Sequence, residues 1–185
     1  MEKIGLVICT TGLRESQLAR ARETYIRSAE QCGVNLELRI YRDPDPSPGN
    51  LAHLVGIRNQ ALDCCQERWA FFCDDDDFVF DNHVRILTAA MVNHPLATVV
   101  MSQAQDAKGK RLGFTLACSL VNVDRFRMTG WMCPPEGGED FFTLSTLQVR
   151  GHQVVKEPTI TWQVCDEVPS LTRKKRVELH KKSRR

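Results

Sequence analysis

The 185-residue sequence contains no Cys-x-x-Cys spacing, no internal repeat, no break in composition that would mark a domain linker, and no apolar run long enough to span a membrane. Each absence excludes a class. Eight cysteines are present, at 9, 32, 64, 65, 73, 118, 133 and 165, but several sit inside apolar runs, where free thiols act as small hydrophobes. A zinc site or disulfide framework is therefore not expected, and the composition suits a reducing compartment. Cys64-Cys65 reads as helix-face packing. Met1-Glu2-Lys3-Ile4 leads straight into a strand pattern rather than a signal peptide, so a cytoplasmic protein is expected, in the host cytoplasm if the source is viral. With 42% hydrophobic and 26% charged residues the chain reads as one soluble globular domain over residues 1–165, followed by a tail.

Charge is unevenly spread. Residues 171–185 hold eight basic residues and a single acid, Glu178, a net of +7; the other 170 residues hold 17 basic and 22 acidic residues, a net of −5. An acidic body with a basic tail over 166–185 suits an anionic partner, and Arg173, Lys174, Lys175, Arg176, Lys181 and Lys182 are the candidate nucleic-acid contacts. A solvated tail that aids solubility is the alternative. The tail lacks the large apolar face that would anchor an amphipathic helix in a membrane surface.

Hydrophobic periodicity predicts an α/β fold. Residues 4–10 form a near-continuous apolar run, as in a strand buried on both faces, and Thr10-Thr11-Gly12 break it. Leu18, Ala21, Tyr25, Ile26 and Ala29 recur at helical spacing over 14–32, with Gly33 placed to end that helix. Residues 35–41 alternate as a second strand, and the proline-rich stretch 43–49 is a stiff loop. A helix over 51–68 feeds a strand over 69–73. A helix over 81–93, strands over 97–102 and 112–123, a Gly/Pro-rich loop over 130–138, a helix opened by Glu139-Asp140 and a short strand from His152 follow. The strand–helix–strand order predicts a central, mostly parallel sheet flanked by helices, with residues 1–90 as a ligand-binding half and 91–165 as a second half. Ligands of such sheets bind outside the carboxyl ends of the strands, so Thr10, Thr11, Asp43 and Asp74 to Asp77 should converge on one edge.

Asp74 to Asp77, directly after the apolar run Trp69-Ala70-Phe71-Phe72-Cys73, are hard to explain by folding alone. An acidic helix N-terminus accounts for one or two carboxylates but not for four. Like charges at the end of a buried strand resist desolvation and suggest a divalent cation.

Four segments in this order carry a family resemblance: the first strand running into Thr10-Thr11, Gly56-Ile57-Arg58-Asn59-Gln60-Ala61, Phe71-Phe72-Cys73-Asp74-Asp75-Asp76-Asp77, and Gly138-Glu139-Asp140. Over residues 4–160 the chain resembles the GT-A nucleotide-sugar glycosyltransferases, most closely the large inverting family numbered two. The resemblance implies a Rossmann-like GT-A domain and metal-dependent inverting transfer of a sugar from a nucleotide sugar, commonly a UDP-sugar. It implies that Asp74 faces the ribose and that Asp76, with Asp74, holds Mn²⁺ or Mg²⁺ against the diphosphate. Asp75 joins the nucleotide side or faces solvent, and Asp77 supports the site or caps the next helix. It further implies that Thr10, Thr11, Asp43, Arg58 and Asn59 contact the donor, and that Glu139 or Asp140, with Asp140 preferred, is the general base. Three departures stand out: Thr10-Thr11 replaces Pro-Thr, the proline-rich loop replaces Asp-Asp-Gly-Ser after Asp43, and Thr161-Trp162-Gln163 lacks the histidine that often completes the metal site. His152 reads as structural and His180 lies in the tail.

Residues 91–138 hold no motif that names an acceptor; Trp131 and Met132 could stack on a sugar or a base, or anchor the loop. The basic tail favours DNA, and the preferred acceptor is a hydroxymethylated base of the 5-hydroxymethylcytosine type, as in bacteriophage DNA modification. The alternatives are transfer to polysaccharide or lipid-linked glycan, and a non-enzymatic nucleic-acid-binding α/β domain.

Overall fold

The structure, a computed structural model, describes residues 3–10, 12, 14–43, 51–132 and 138–164. Thr11 and the basic-tail residues Arg173, Lys174, Lys175, Arg176, Lys181 and Lys182 lie outside them. In chain order the elements are β1 (Ile4–Thr10), α1 (Glu15–Glu30), β2 (Leu36–Arg42), α2 (Leu51–Cys64), β3 (Trp69–Asp74), β4 (Asp77–Val79), α3 (His83–Asn93), β5 (Val99–Gln105), β6 (Arg111–Phe114), β7 (Ser119–Asn122), α4 (Val123–Arg127), α5 (Glu139–Val149) and β8 (Val154–Val164). Among the described residues no helix is long and apolar enough to cross a membrane.

One eight-stranded sheet runs in the order β2-β1-β3-β7-β5-β8-β4, with β6 added on β5. It is mixed. β1 pairs β2 and β3 in parallel, as the sequence predicts, and β5 pairs β8 in parallel; the β3–β7, β4–β8, β5–β6 and β5–β7 pairs are antiparallel. The physical reason lies in the connections. Helices α1 and α2 carry the parallel crossovers of the first half, whereas β5 and β6 are joined by a tight turn in which the Asp106 carboxylate accepts the Lys108 and Lys110 amides.

The strand expected over 112–123 is two strands, because Cys118 adopts a left-handed φ of 56° and the chain turns there. β8 runs for 11 residues rather than stopping near Val155. It absorbs Pro158 at a register shift against β5, one of the few places a strand tolerates proline.

Two residues, Asp75 and Asp76, separate β3 from β4, yet β4 lies at the far end of the sheet beyond β7, β5 and β8. Such a link spans little more than about 11 Å. The sheet must therefore curl, and the acidic cluster sits on the curl.

Strands β1 and β3 alternate between two cores. Ile4, Leu6, Ile8, Trp69, Phe71 and Cys73 face α1 and α3, while Val7, Cys9, Ala70 and Phe72 face α2, α4 and α5. α1 forms because Leu18, Ala21, Tyr25 and Ala29 make a buried stripe. It ends at Gly33, whose φ of 67° lets the Val34 amide return to the Ala29 carbonyl at 3.1 Å. His83 ties α3 to the sheet through Thr161 Oγ1 at 2.7 Å, and burial holds the imidazole neutral, with its pKa pushed down to about 3.

Candidate active site

The parallel register brings the strand ends level. Thr10 pairs with Arg42 across β1–β2, and Cys9 pairs with Asp74 across β1–β3. The Asp43 amide donates to the Thr10 carbonyl at 2.8 Å, and the Asp43 carboxylate is hydrogen-bonded to His53 at 3.1 Å. Thr10, Asp43 and Asp74 to Asp77 thus meet at the carboxyl edge, as the topology predicts. His53 had no sequence signal beyond its place at the start of α2.

The four aspartates do not share one environment. Carboxylate oxygens of Asp74, Asp76 and Asp77 lie within 4.8 Å of one another. Asp75 does not face solvent: it is 5% exposed, accepts the Thr10 hydroxyl at 2.5 Å and lies 3.5 Å from Arg14 Nη1. The tight β3–β4 link turns it inward under β1, a direction that strand alternation cannot reveal. Arg14 also hydrogen-bonds Asp76 Oδ2.

Burial, then the charge of Asp74, pushes the Asp76 carboxyl up to about 6 despite Arg14. Asp77, buried at the start of β4, is raised well above the ordinary range by burial and then by Asp74, Asp76 and Asp140. Three converging hard-oxygen donors, short of positive charge, fit Mg²⁺ or Mn²⁺, with remaining positions left to diphosphate and water. Among the described residues no histidine belongs to this cluster. His152 is bonded to Thr98 Oγ1 at 3.0 Å, in keeping with a structural role.

Arg58 is the hub of the other half of the site. It is 5% exposed, donates from Nη2 to Asp74 Oδ1 at 2.5 Å, and approaches Glu139 and Asp140 from Nη1 at 3.7 and 4.0 Å. Its guanidinium stacks 4.8 Å from the centroid of Trp131. Burial works against its charge, but Asp74 and Asp140 more than offset this and raise its pKa. The neighbouring Asn59 spends both ends of its amide on the Trp131 backbone: Nδ2 donates to the carbonyl at 2.9 Å and Oδ1 accepts the amide at 2.7 Å. Arg58 and Asn59 therefore tie the loop at Trp131 and the head of α5 to the acidic strand. Trp131, 4% exposed and packed on Phe72 and Phe126, is a loop anchor.

Asp140 stands in the first turn of α5, behind Gly138 with its φ of 87°. Its Oδ2 accepts the Leu116 amide at 3.2 Å. Burial pushes its pKa up to about 6, opposed by Arg58 and reinforced by Asp74 and Glu139. Arg58 Nη1 and Asp140 Oδ1 are shielded from solvent and make no hydrogen bond among the described residues. They face each other at ion-pair distance, too far apart for a hydrogen bond, and a ligand or water that supplies the missing hydrogen bonds fits between them.

These raised carboxyls set the sign of a stability effect. A carboxyl whose folded-state pKa lies above its unfolded value holds protons that the unfolded chain has released, so stability falls as pH rises from about 4 through about 6. Holding a carboxyl near 6 instead of near 3.8 costs roughly 3 kcal/mol at neutral pH. His83 opposes this: its imidazole stays neutral in the fold with a pKa of about 3, so its contribution to stability rises with pH up to about 6.5, while the exposed Glu15 and Asp81, whose pKa values are lowered, add only weakly to that opposition. The cluster's share is isolated by comparing variants in chelator: because Asp77 must ionise among other carboxylates, Asp77→Asn is expected to gain melting temperature relative to the wild type as pH rises from about 5 to about 7.5. A difference between the two proteins that stays constant over this range would contradict the electrostatics of the cluster.

No protein-family model matches the sequence, and no curated protein matches it. Solved structures do. S. aureus TarS 1–349 in complex with UDP-GlcNAc superposes with a TM-score of 0.67 at 10% identity, over 92% of this chain and 60% of that one. The same protein in complex with UDP gives 0.63 at 11% identity, over 88% and 60%. The catalytic domain of Drosophila beta1,4galactosyltransferase 7, in complex with xylobiose, gives 0.61 at 13% identity, over 86% and 67%. The fold is that of the GT-A glycosyltransferases, with a mixed and curled sheet between helices. This chain spans about 60% of the TarS chain.

Proposed function

We propose that this chain is a metal-dependent inverting glycosyltransferase that moves a sugar from a nucleoside-diphosphate donor, preferably a UDP-sugar, to a hydroxyl acceptor. The observation that carries this reading is the pairing, across Arg58, of a three-carboxylate cluster with a half-buried Asp140 whose Oδ1 is shielded from solvent and whose pKa is pushed up to about 6. A carboxylate tuned toward neutrality, with one oxygen that makes no hydrogen bond among the described residues, has the properties of a general base for an alcohol. The TarS complexes with UDP-GlcNAc and UDP, on the same fold, support a uridine donor.

In this reading Thr10 and Asp43 line the nucleotide end, and Asp74 faces the ribose with the oxygen that Arg58 does not occupy. Asp76, with Asp74 and Asp77, would hold Mn²⁺ or Mg²⁺, which when bound neutralises charge on the departing diphosphate. Asp140 takes the acceptor proton on Oδ1 while the Leu116 amide fixes Oδ2. Arg58 keeps Asp74 and Asp140 in register, and Glu139 shares the guanidinium. Arg58 and Asn59 thus hold the site's shape rather than grip the donor.

For the acceptor we favour a hydroxymethylated base in DNA, supported by the +7 tail on a −5 body, in a cytoplasmic setting. A base in duplex DNA would have to flip out to reach Asp140. A glycan acceptor is the second reading, favoured by the xylobiose bound to the Drosophila neighbour.

Two experiments test the proposal. Mn²⁺ and UDP together should raise the melting temperature by more than the sum of their separate effects. No joint effect would leave a binding domain with an inert acidic cluster. Transfer of labelled sugar from UDP-sugars is then compared on hydroxymethylated DNA, unmodified DNA and xylobiose. Label only on hydroxymethylated DNA supports the favoured acceptor, and label only on the disaccharide replaces it.

A further inference from the structure

Arg14 enters the site without belonging to any of the segments that carry the resemblance. It stands at the N-cap of α1 but makes no side-chain capping bond. Its guanidinium reaches across the sheet edge instead, where Nη1 contacts both Asp75 Oδ1 and Asp76 Oδ2. All three side chains are largely buried, at 15%, 6% and 15% exposure.

The two contacts differ in kind. Asp75 is fixed, because its other oxygen accepts the Thr10 hydroxyl at 2.5 Å and Thr10 Oγ1 in turn accepts the Gly12 amide at 3.0 Å. Asp76 belongs to the three-carboxylate cluster. Arg14 is thus anchored on a rigid carboxylate and closes onto one that a cation would claim. Aspartates 74 to 77, when ionised, carry more negative charge than Arg14 and Arg58 supply, the more so because Arg58 is shared with Glu139 and Asp140, so the cluster is short of the positive charge that a divalent cation brings. A divalent cation outcompetes a single guanidinium for a shared carboxylate, while Asp75 keeps the released guanidinium within reach of the diphosphate.

Resting on the metal reading above, we infer that Arg14 is a built-in counter-ion: it holds Asp76 in the metal-free protein, yields it to the cation, and then pairs with Asp75 and the donor diphosphate. Arg14 is a positioning residue whose place depends on whether the cation is bound.

The test measures Mn²⁺ binding directly, by calorimetry or by the electron paramagnetic resonance of free Mn²⁺, without nucleotide. Arg14→Gln no longer has to surrender a charge-assisted hydrogen bond, so it should bind Mn²⁺ about tenfold more tightly than the wild type. At saturating Mn²⁺ the same variant should bind UDP about tenfold more weakly. Arg14→Lys, which keeps the charge but loses the rigid planar head that sets Nη1 between the two carboxylates, should tighten Mn²⁺ binding by about threefold, and it carries the test should Arg14→Gln fail to fold. Unchanged or weaker Mn²⁺ binding in the folded variants overturns the inference while the proposed function stands. No Mn²⁺ binding in any form, wild type included, overturns both.

Discussion

Asp140→Asn is expected to lower the rate of sugar transfer by at least about a thousandfold while leaving the fold and UDP binding intact. The substitution is isosteric and keeps an oxygen that can accept the Leu116 amide, so the head of α5 should not shift. Only the ability to take a proton is lost. Because burial holds the Asp140 carboxyl near 6 and the base must be ionised, wild-type transfer at saturating donor should climb as pH rises through about 6 and then level off. Glu139→Gln should cost far less, since Glu139 meets Arg58 at 3.7 Å and Arg58 retains Asp74 and Asp140. The rates are read from initial velocities with labelled donor. Should Asp140→Asn keep more than about a tenth of wild-type activity, or should Glu139→Gln be the more damaged variant, the base has been assigned to the wrong carboxylate.

Parts of this site were legible in the sequence because they depend on strand ends. An apolar run that alternates between two cores, as in β1 and β3, announces a strand buried on both faces, and parallel topology then fixes where its carboxyl end must lie. The convergence of Thr10, Asp43 and Asp74 on one edge follows from that alone. Direction was not legible. Arg58 and Asn59 occupy the expected helix, but whether a helical arginine points to a ligand or into the protein depends on a rotation of α2 that its spacing leaves open. The structure turns Arg58 inward, onto Asp74, Asp140 and Trp131. Asp75 is a similar case, because the curl that brings β4 beside β8 is set by long-range pairing and reverses the outward direction that the sequence allows. Arg14, at the N-cap just ahead of the arginines of α1, was hidden as well, with nothing local to mark it. The antiparallel second half was hidden too, since the left-handed turn at Cys118 splits what reads as one strand.

Asp76→Ala should abolish Mn²⁺ binding, the joint stabilisation by Mn²⁺ and UDP, and transfer, because it removes one of the three carboxylates that the described residues bring to the site. Taken from the sequence alone, Asp75→Ala should be mild. The structure changes that expectation and also its character. Asp75 is buried and satisfies Thr10 and Arg14, so its loss strands a hydroxyl and part of a guanidinium away from water, at a cost of about 1 to 3 kcal/mol. Asp75→Ala should therefore melt several degrees below the wild type, yet still bind Mn²⁺, because Asp74, Asp76 and Asp77 remain. Asp76→Ala should do the reverse in the absence of metal. Removing one of several crowded carboxylates relieves repulsion, so the metal-free protein should hold or gain stability near neutral pH even as the metal site disappears. Thermal melts of both variants with chelator and with Mn²⁺ separate the two roles. If Asp75→Ala lost Mn²⁺ binding at full stability while Asp76→Ala kept it, Asp75 would be the ligand and Asp76 the support.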